Sequence, residues 1–140
     1  MAYAPKSLTA SKTLTPSDAG TILVINAAAG LTLTLPPATG SGYSYKAVVG
    51  TTVTSNSVVI RVTGNDVMTG LAVSAADGGA SVNGWETAAD SDTITFNGST
   101  TGGIKGDMVE LIDCAADTWA VQIRSSSTGT EATPFSAAVS

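Results

Sequence analysis

Hydrophobic and polar residues alternate with a period of two along most of this chain. Leu31, Leu33 and Leu35 alternate with Thr32 and Thr34, so one face of that segment is apolar and the other hydroxylated. Val58, Ile60 and Val62 alternate with Ser57, Val59, Arg61 and Thr63, and Ile94 and Phe96 with Thr93 and Thr95. Trp119, Val121 and Ile123 alternate with Thr118, Ala120, Gln122 and Arg124, while Tyr43, Tyr45, Ala47 and Val49 make one further face. These are half-buried strands, with threonine suited to the outer face because its branched Cβ fits a pleated surface. Residues 21–26 and 107–114 are apolar on both faces, which predicts central strands or strands covered by a second subunit.

The breaks between these segments read as turns. Pro16 to Gly20 has a proline for its fixed φ and a glycine for positive φ. Ala27 to Gly30 is expected to close a hairpin, and Pro36-Pro37 ends the leucine strand because neither residue can donate to a ladder. Gly64-Asn65-Asp66, Asp77-Gly78-Gly79, Asn97-Gly98 and Ala115-Ala116-Asp117 mark later turns. No window forms a convincing amphipathic helix, and residues 64–91, rich in Gly and Asp, read as a long excursion at one end. The pattern predicts an all-β protein: a β-sandwich or jelly-roll-like barrel of roughly eight to ten short antiparallel strands with flexible terminal arms. The expected organisation is an arm over residues 1–7, a sandwich over 8–124, and a low-complexity tail over 125–140 whose one large apolar residue is Phe135.

Composition narrows the function. The chain has 140 residues, enough for one core, and only 12% of them are charged. Mean hydropathy is +0.26, high for a monomer surrounded by water, so part of the surface is expected to be hidden against copies or a partner. The net charge of −5 and six scattered basic residues argue against nucleic acid, where phosphates demand clustered Lys and Arg. No apolar run approaches the roughly 20 residues of a membrane helix, and MAYAPKS lacks the marks of a secretory signal.

Catalytic chemistry finds little to work with. Histidine is absent, which removes the commonest general base and metal ligand, and Cys114 is the single cysteine. No phosphate-binding glycine loop occurs. Asp90 with Asp92, and Asp107 with Glu110 and Asp113, admit a carboxylate dyad or a calcium loop. They equally suit turns and strand ends, where aspartate accepts from nearby backbone N–H groups, and the spacing matches no EF-hand. The expectation is a non-enzyme with no cofactor and no metal. Among the aromatics, Trp119 sits on an inward face. Trp85, in the polar excursion, is either a contact residue or a local plug, and Tyr3 and Phe135 are anchors for arms that order on a neighbouring chain.

The order of motifs resembles the small head-decoration (cement) proteins of bacteriophages. The phrases are Leu14 to Gly20, the apolar strand Ile22 to Asn26, Leu31 to Pro36, a small-residue loop to Gly42 and a strand from Tyr43. Val58 to Val62, a Gly/Asp-rich insertion, Asp92 to Phe96, Gly106 to Leu111 and Thr118 to Val121 follow, so the resemblance spans about residues 8–124. It implies a trimeric β-sandwich seated on the lattice of major capsid protein at the virion exterior, made in the host cytoplasm, with no catalytic residues. The alternative from another class is a receptor- or carbohydrate-binding β-module of a tail fibre or adhesin.

Overall fold

Twelve strands appear among residues 4–139, the part that the structure, a computed structural model, describes. In chain order they are β1 (Lys6–Leu8), β2 (Lys12–Thr13), β3 (Ile22–Ile25), β4 (Leu31–Thr34), β5 (Ser44–Val49) and β6 (Val58–Arg61). The second half holds β7 (Val67–Ala76), β8 (Ser81–Glu86), β9 (Thr93–Phe96), β10 (Met108–Ala115), β11 (Thr118–Ser127) and β12 (Phe135–Ser136). They form a seven-stranded sheet, β1-β3-β5-β10-β11-β7-β8, and a five-stranded sheet, β12-β9-β6-β4-β2. Inward side chains of both sheets, among them Leu23, Ile25, Leu33, Ile60, Ile94, Val121 and Ile123, belong to one buried cluster. The protein is an all-β sandwich. Among the described residues no helix is long and apolar enough to cross a membrane.

Strand direction departs from the expected antiparallel arrangement. β1 with β3, β3 with β5, β7 with β11, β2 with β4, and β4 with β6 all pair in parallel. The cause is the route of the chain. From β1 to β6 each successive strand lies in the opposite sheet, so two crossings restore the original direction beside the strand before last. The turn at Ala27 to Gly30 is therefore a corner between sheets and not a hairpin, since β3 and β4 belong to different sheets. Alternating hydrophobicity marks which face is buried and is blind to strand direction.

Residues 64–91 are also more regular than their composition predicts. They hold the ten-residue β7, in continuous parallel register with β11 from Val67↔Thr118 to Ala76↔Ser127, and β8, its antiparallel neighbour. Small side chains carry the inward face here: Ala72, Ser74 and Ala76 are buried, and the Ser74 and Ser127 hydroxyls hydrogen-bond at 2.6 Å. Gly70 is required by this packing, because a Cβ there would collide with the carbonyl oxygen of Val121.

Lys6 to Leu8 and residues 125–139 are held by their own chain, which corrects for them the picture of arms that order only on a neighbour. Lys6 to Leu8 extend the seven-stranded sheet beside β3. Residues 128–139 return along the sandwich: Thr128 N–H donates to Ser99, Phe135 pairs with Ile94, and Val139 N–H donates to the Asp92 carboxylate. Of the two segments expected to be arms, 1–3 and 140 lie outside the described residues.

Asp18 joins the edges of both sheets. Its buried carboxylate accepts from Lys6 Nζ on β1 at 3.2 Å, from Lys12 Nζ on β2 at 2.8 Å, and from Thr15 N–H at 3.0 Å. Burial works against its charge, but the Lys12, Thr15 and Lys6 hydrogen bonds outweigh it and hold the carboxyl at about 2, below its ordinary 3.8. A carboxyl held low contributes stability above the unfolded value, and that contribution is lost as pH falls from about 4 toward 2. Asp18→Ala is expected to cost about 1–2 kcal/mol in urea unfolding at pH 7, modest because both lysines are partly exposed. The difference between variant and parent should shrink as pH approaches 2.

Candidate functional surface

The outer faces of the two sheets differ in kind. The five-stranded sheet carries more hydroxyls: Thr32 and Thr95 flank Val59 in one row, and Thr34, Arg61 and Ser136 share the next with Thr93, which is buried, while Arg61 Nε donates to Thr34 Oγ1 at 3.3 Å. The seven-stranded sheet presents aliphatic side chains. Ile22, Leu71, Val73, Val82, Met108 and Ile112 are six of the eight large apolar residues left exposed among those described, and all six point outward from this sheet. Cross-strand register aligns four of them into two rows: Val24, Val48, Met108, Arg124 and Val73 in one, Ile22, Lys46, Glu110, Gln122 and Leu71 in the other. Lys46 and Glu110 pair on this face at 3.3 Å, and Arg124 stands exposed between Met108 and Val73.

A groove of about 620 Å³ runs over this face beside Leu71, Val73, Val82 and Arg124, bounded by the turn at Lys105 to Asp107. A smaller hollow of about 130 Å³ between Lys46, Met108 and Glu110 shares Gln122 and Arg124 with it. The two-faced apolar character of residues 21–26 and 107–114 pointed toward this surface. The contribution of β7 and β8 was hidden by their glycines and alanines.

A second hollow, of about 190 Å³, lies at one end of the sandwich between Pro16, Pro36, Pro37, Tyr43, Trp119 and Asp113. The sequence shows no aromatic cluster, yet the fold brings Tyr43, Tyr45 and Trp119 to this one place, with the Tyr45 and Trp119 ring centroids 5.8 Å apart and tilted by 59°. Tyr45 and Trp119 are about 1% exposed, so only Tyr43, at 48%, offers a ring to solvent. Trp119 Nε1 is buried with no hydrogen-bond acceptor among the described residues.

The carboxylates serve the backbone. Asp113 accepts from the N–H groups of Thr39, Gly40 and Ser41 and from the Ser41 hydroxyl at 2.6 Å. Burial opposes its charge, but the Ser41 hydroxyl and these N–H donors hold its carboxyl at about 2. Asp107 accepts from Gly103, Ile104 and Ser126 N–H, and its deeper burial pushes its carboxyl up in spite of them. Glu110 is engaged by Lys46, and Asp90 is exposed. No group of three or more His, Cys, Asp or Glu side chains among the described residues is placed to hold a metal ion.

The three residues expected to make contacts fall in different places. Tyr3 lies outside the described residues. Trp85 is on the inward side of edge strand β8, partly buried against the core. Phe135 is 6% exposed on β12, at the edge of the other sheet, within the core cluster. Phe135 is thus spent on its own chain and is not a free anchor, because its strand seals the open side of β9. No family model, curated protein or solved structure matches the chain. Phe135→Ala is expected to destabilise the fold by about 3–5 kcal/mol, the usual cost of a large cavity in a packed core, measured by thermal and urea unfolding. A fully stable variant would mean that β12 does not hold.

Proposed function

We propose that this chain is a virion structural protein that binds the outer surface of an assembled phage capsid and stabilises it, acting as a homotrimer without catalysis. The observation that carries the reading is the contrast between the two outer faces. One is hydroxylated and suited to water, while the other gathers most of the exposed large apolar side chains of a charge-poor protein. Such a face is a surface to be covered, by the shell and by neighbouring copies. The resemblance of the motif order to head-decoration proteins suggests the nature of the partner and the number three. A rigid trimer gains from geometry, because once one contact forms the other two act at high effective concentration. Only the finished lattice presents all three sites at the right spacing. Each bound trimer then bridges coat subunits and opposes their separation by mass action.

The other reading, a receptor- or carbohydrate-binding module of a tail fibre, has one observation in its favour. The hollow at Tyr43 and Trp119 combines aromatic rings with an indole N–H that lacks an acceptor. Its single exposed ring makes it a poorer basis than the sheet face.

The test compares phage particles with and without this protein, by co-sedimentation and by the temperature at which DNA is released. Bound protein should raise that temperature. The double substitution Ile22→Asp with Met108→Asp should weaken binding about 100-fold, from two apolar contacts at about 1.5 kcal/mol each. The fold should tolerate both changes, because Ile22 stands opposite Lys46 and Met108 opposite Arg124. Saturable glycan binding by isolated protein, with no shell in the pellet, would move the tail-fibre reading ahead.

A further inference from the structure

Among the described residues four strand edges are open in the two sheets, and three of them are blunted. β1 has three residues, follows Pro5 and carries Lys6; β2 has two and carries Lys12; β12 has two and follows Pro134. Short length, lysine and proline are the usual devices that stop a sheet from adding strands. The fourth edge, β8, has none of them. Its six residues, Ser81 to Glu86, run in unbroken register with β7 and contain no proline, no lysine and no bulge. Among the described residues no strand pairs with its far side.

Gly84 in the middle of β8 is a second, independent sign. Glycine weakens a strand interior and is expected where the backbone needs positive φ or where a Cβ would collide. Gly70 on the neighbouring strand meets that condition. Gly84 does not: its φ is not positive, and a Cβ there would meet nothing closer than 3.7 Å. The fold leaves this position open without needing to. On the outer face the result is a notch between Val82 and Glu86, with Val73 behind it at 43% exposure. Two residues away on the same face stands Val82, at 68% the most exposed of the large apolar side chains.

A knob and a hole two residues apart on one open strand are self-complementary under a twofold axis. We propose that β8 pairs antiparallel with β8 of a second copy, with Asn83 opposite Asn83 on the axis. Val82 of each copy then lies opposite Gly84 of the other, on the same face, and fills its notch. In this register Ser81 faces Trp85 on the inner side, Glu86 faces Ala80, and no like charges stand opposite one another. The contact is isologous, as twofold symmetry requires, and it is separate from threefold association. It joins one unit to the next. A six-residue pairing is small, so in solution it is transient, and neighbours held side by side on a surface form it readily.

Disulfide trapping of the free protein tests this without any shell. In a Cys114→Ser background, Asn83→Cys places two cysteines on the axis, about 5 Å apart at Cβ. Glu86→Cys places them roughly 20 Å apart. Mild oxidation should give cross-linked dimer at least tenfold faster for Asn83→Cys than for Glu86→Cys. Adding Gly84→Val to Asn83→Cys should suppress the cross-link at least tenfold while leaving the unfolding temperature unchanged or higher, since valine favours a strand. If that variant does not fold, Val82→Lys, which adds an edge lysine, should suppress the cross-link in its place. Equal rates at positions 83 and 86, or cross-linking indifferent to both the filled notch and the lysine, would overturn the proposal. Loss of shell binding with cross-linking intact would count against the decoration reading alone.

Discussion

A sandwich whose chain changes sheets at almost every turn has a recurring physical problem, because each corner brings backbone N–H groups to the margin of the core without a strand partner. Here a buried aspartate meets them at four places, and a fifth ties down the C-terminal segment after the last strand. Asp18 serves Thr15, Asp66 serves Ala38, Asp92 serves Val139, Asp107 serves three N–H groups from two segments, and Asp113 serves the corner at residues 39–41. An unpaired buried N–H costs as much as a lost hydrogen bond, and a carboxylate offers up to four acceptor sites at one point. Because those oxygens are committed to backbone N–H groups and to neighbouring side chains such as Lys6, Lys12 and Ser41, the acidic residues hold loops in place and present little chemistry at the surface. In a chain with so few charges, this use of aspartate also leaves fewer charged groups to keep the exterior wet.

That arrangement explains why the outer faces can differ so strongly. The loops are fixed from within, so neither sheet face has to contribute to holding the corners. The five-stranded sheet keeps Thr32, Thr34 and Thr95 half-exposed on its outer side, where the hydroxyl reaches water and the branched Cβ fits the pleat. The seven-stranded sheet keeps Ile22, Leu71, Val73 and Met108 outward, and this exposed apolar surface is what the proposed partner would cover. The same sheet ends in the one edge that carries no protection against strand addition. Face and edge together are why the proposed contacts with other proteins are assigned to this sheet.

How much of this was legible in the sequence depends on residue size and on range. β4, β6, β9 and β11 are plain because Leu, Ile, Val and Phe alternate with Thr. β7 escapes notice because Ala72, Ser74 and Ala76 fill its inward positions, and small residues do not stand out from a turn-rich background. Strand direction is not encoded in alternation at all, so the parallel pairs emerged only from the path between sheets. Asp113 is recognisable as an acceptor at a strand end, yet its partners lie more than 70 residues away in the chain. Tyr45 and Trp119 likewise meet only across the fold. Phe135 looked like a loose anchor in a low-complexity tail because nothing local reveals that β9 has an open side for it to close.

The central claim is that the outer face of the seven-stranded sheet is covered in the working assembly while the threonine face stays in water. If the proposed decoration role holds, a cryo-electron-microscopy map of phage particles carrying this protein tests it directly. The account predicts density for three copies around a local threefold axis on the shell, with Ile22, Leu71, Val73 and Met108 buried and Thr32, Thr34 and Thr95 facing solvent. A map with the aliphatic face bare, or with no such density on the capsid, would contradict it.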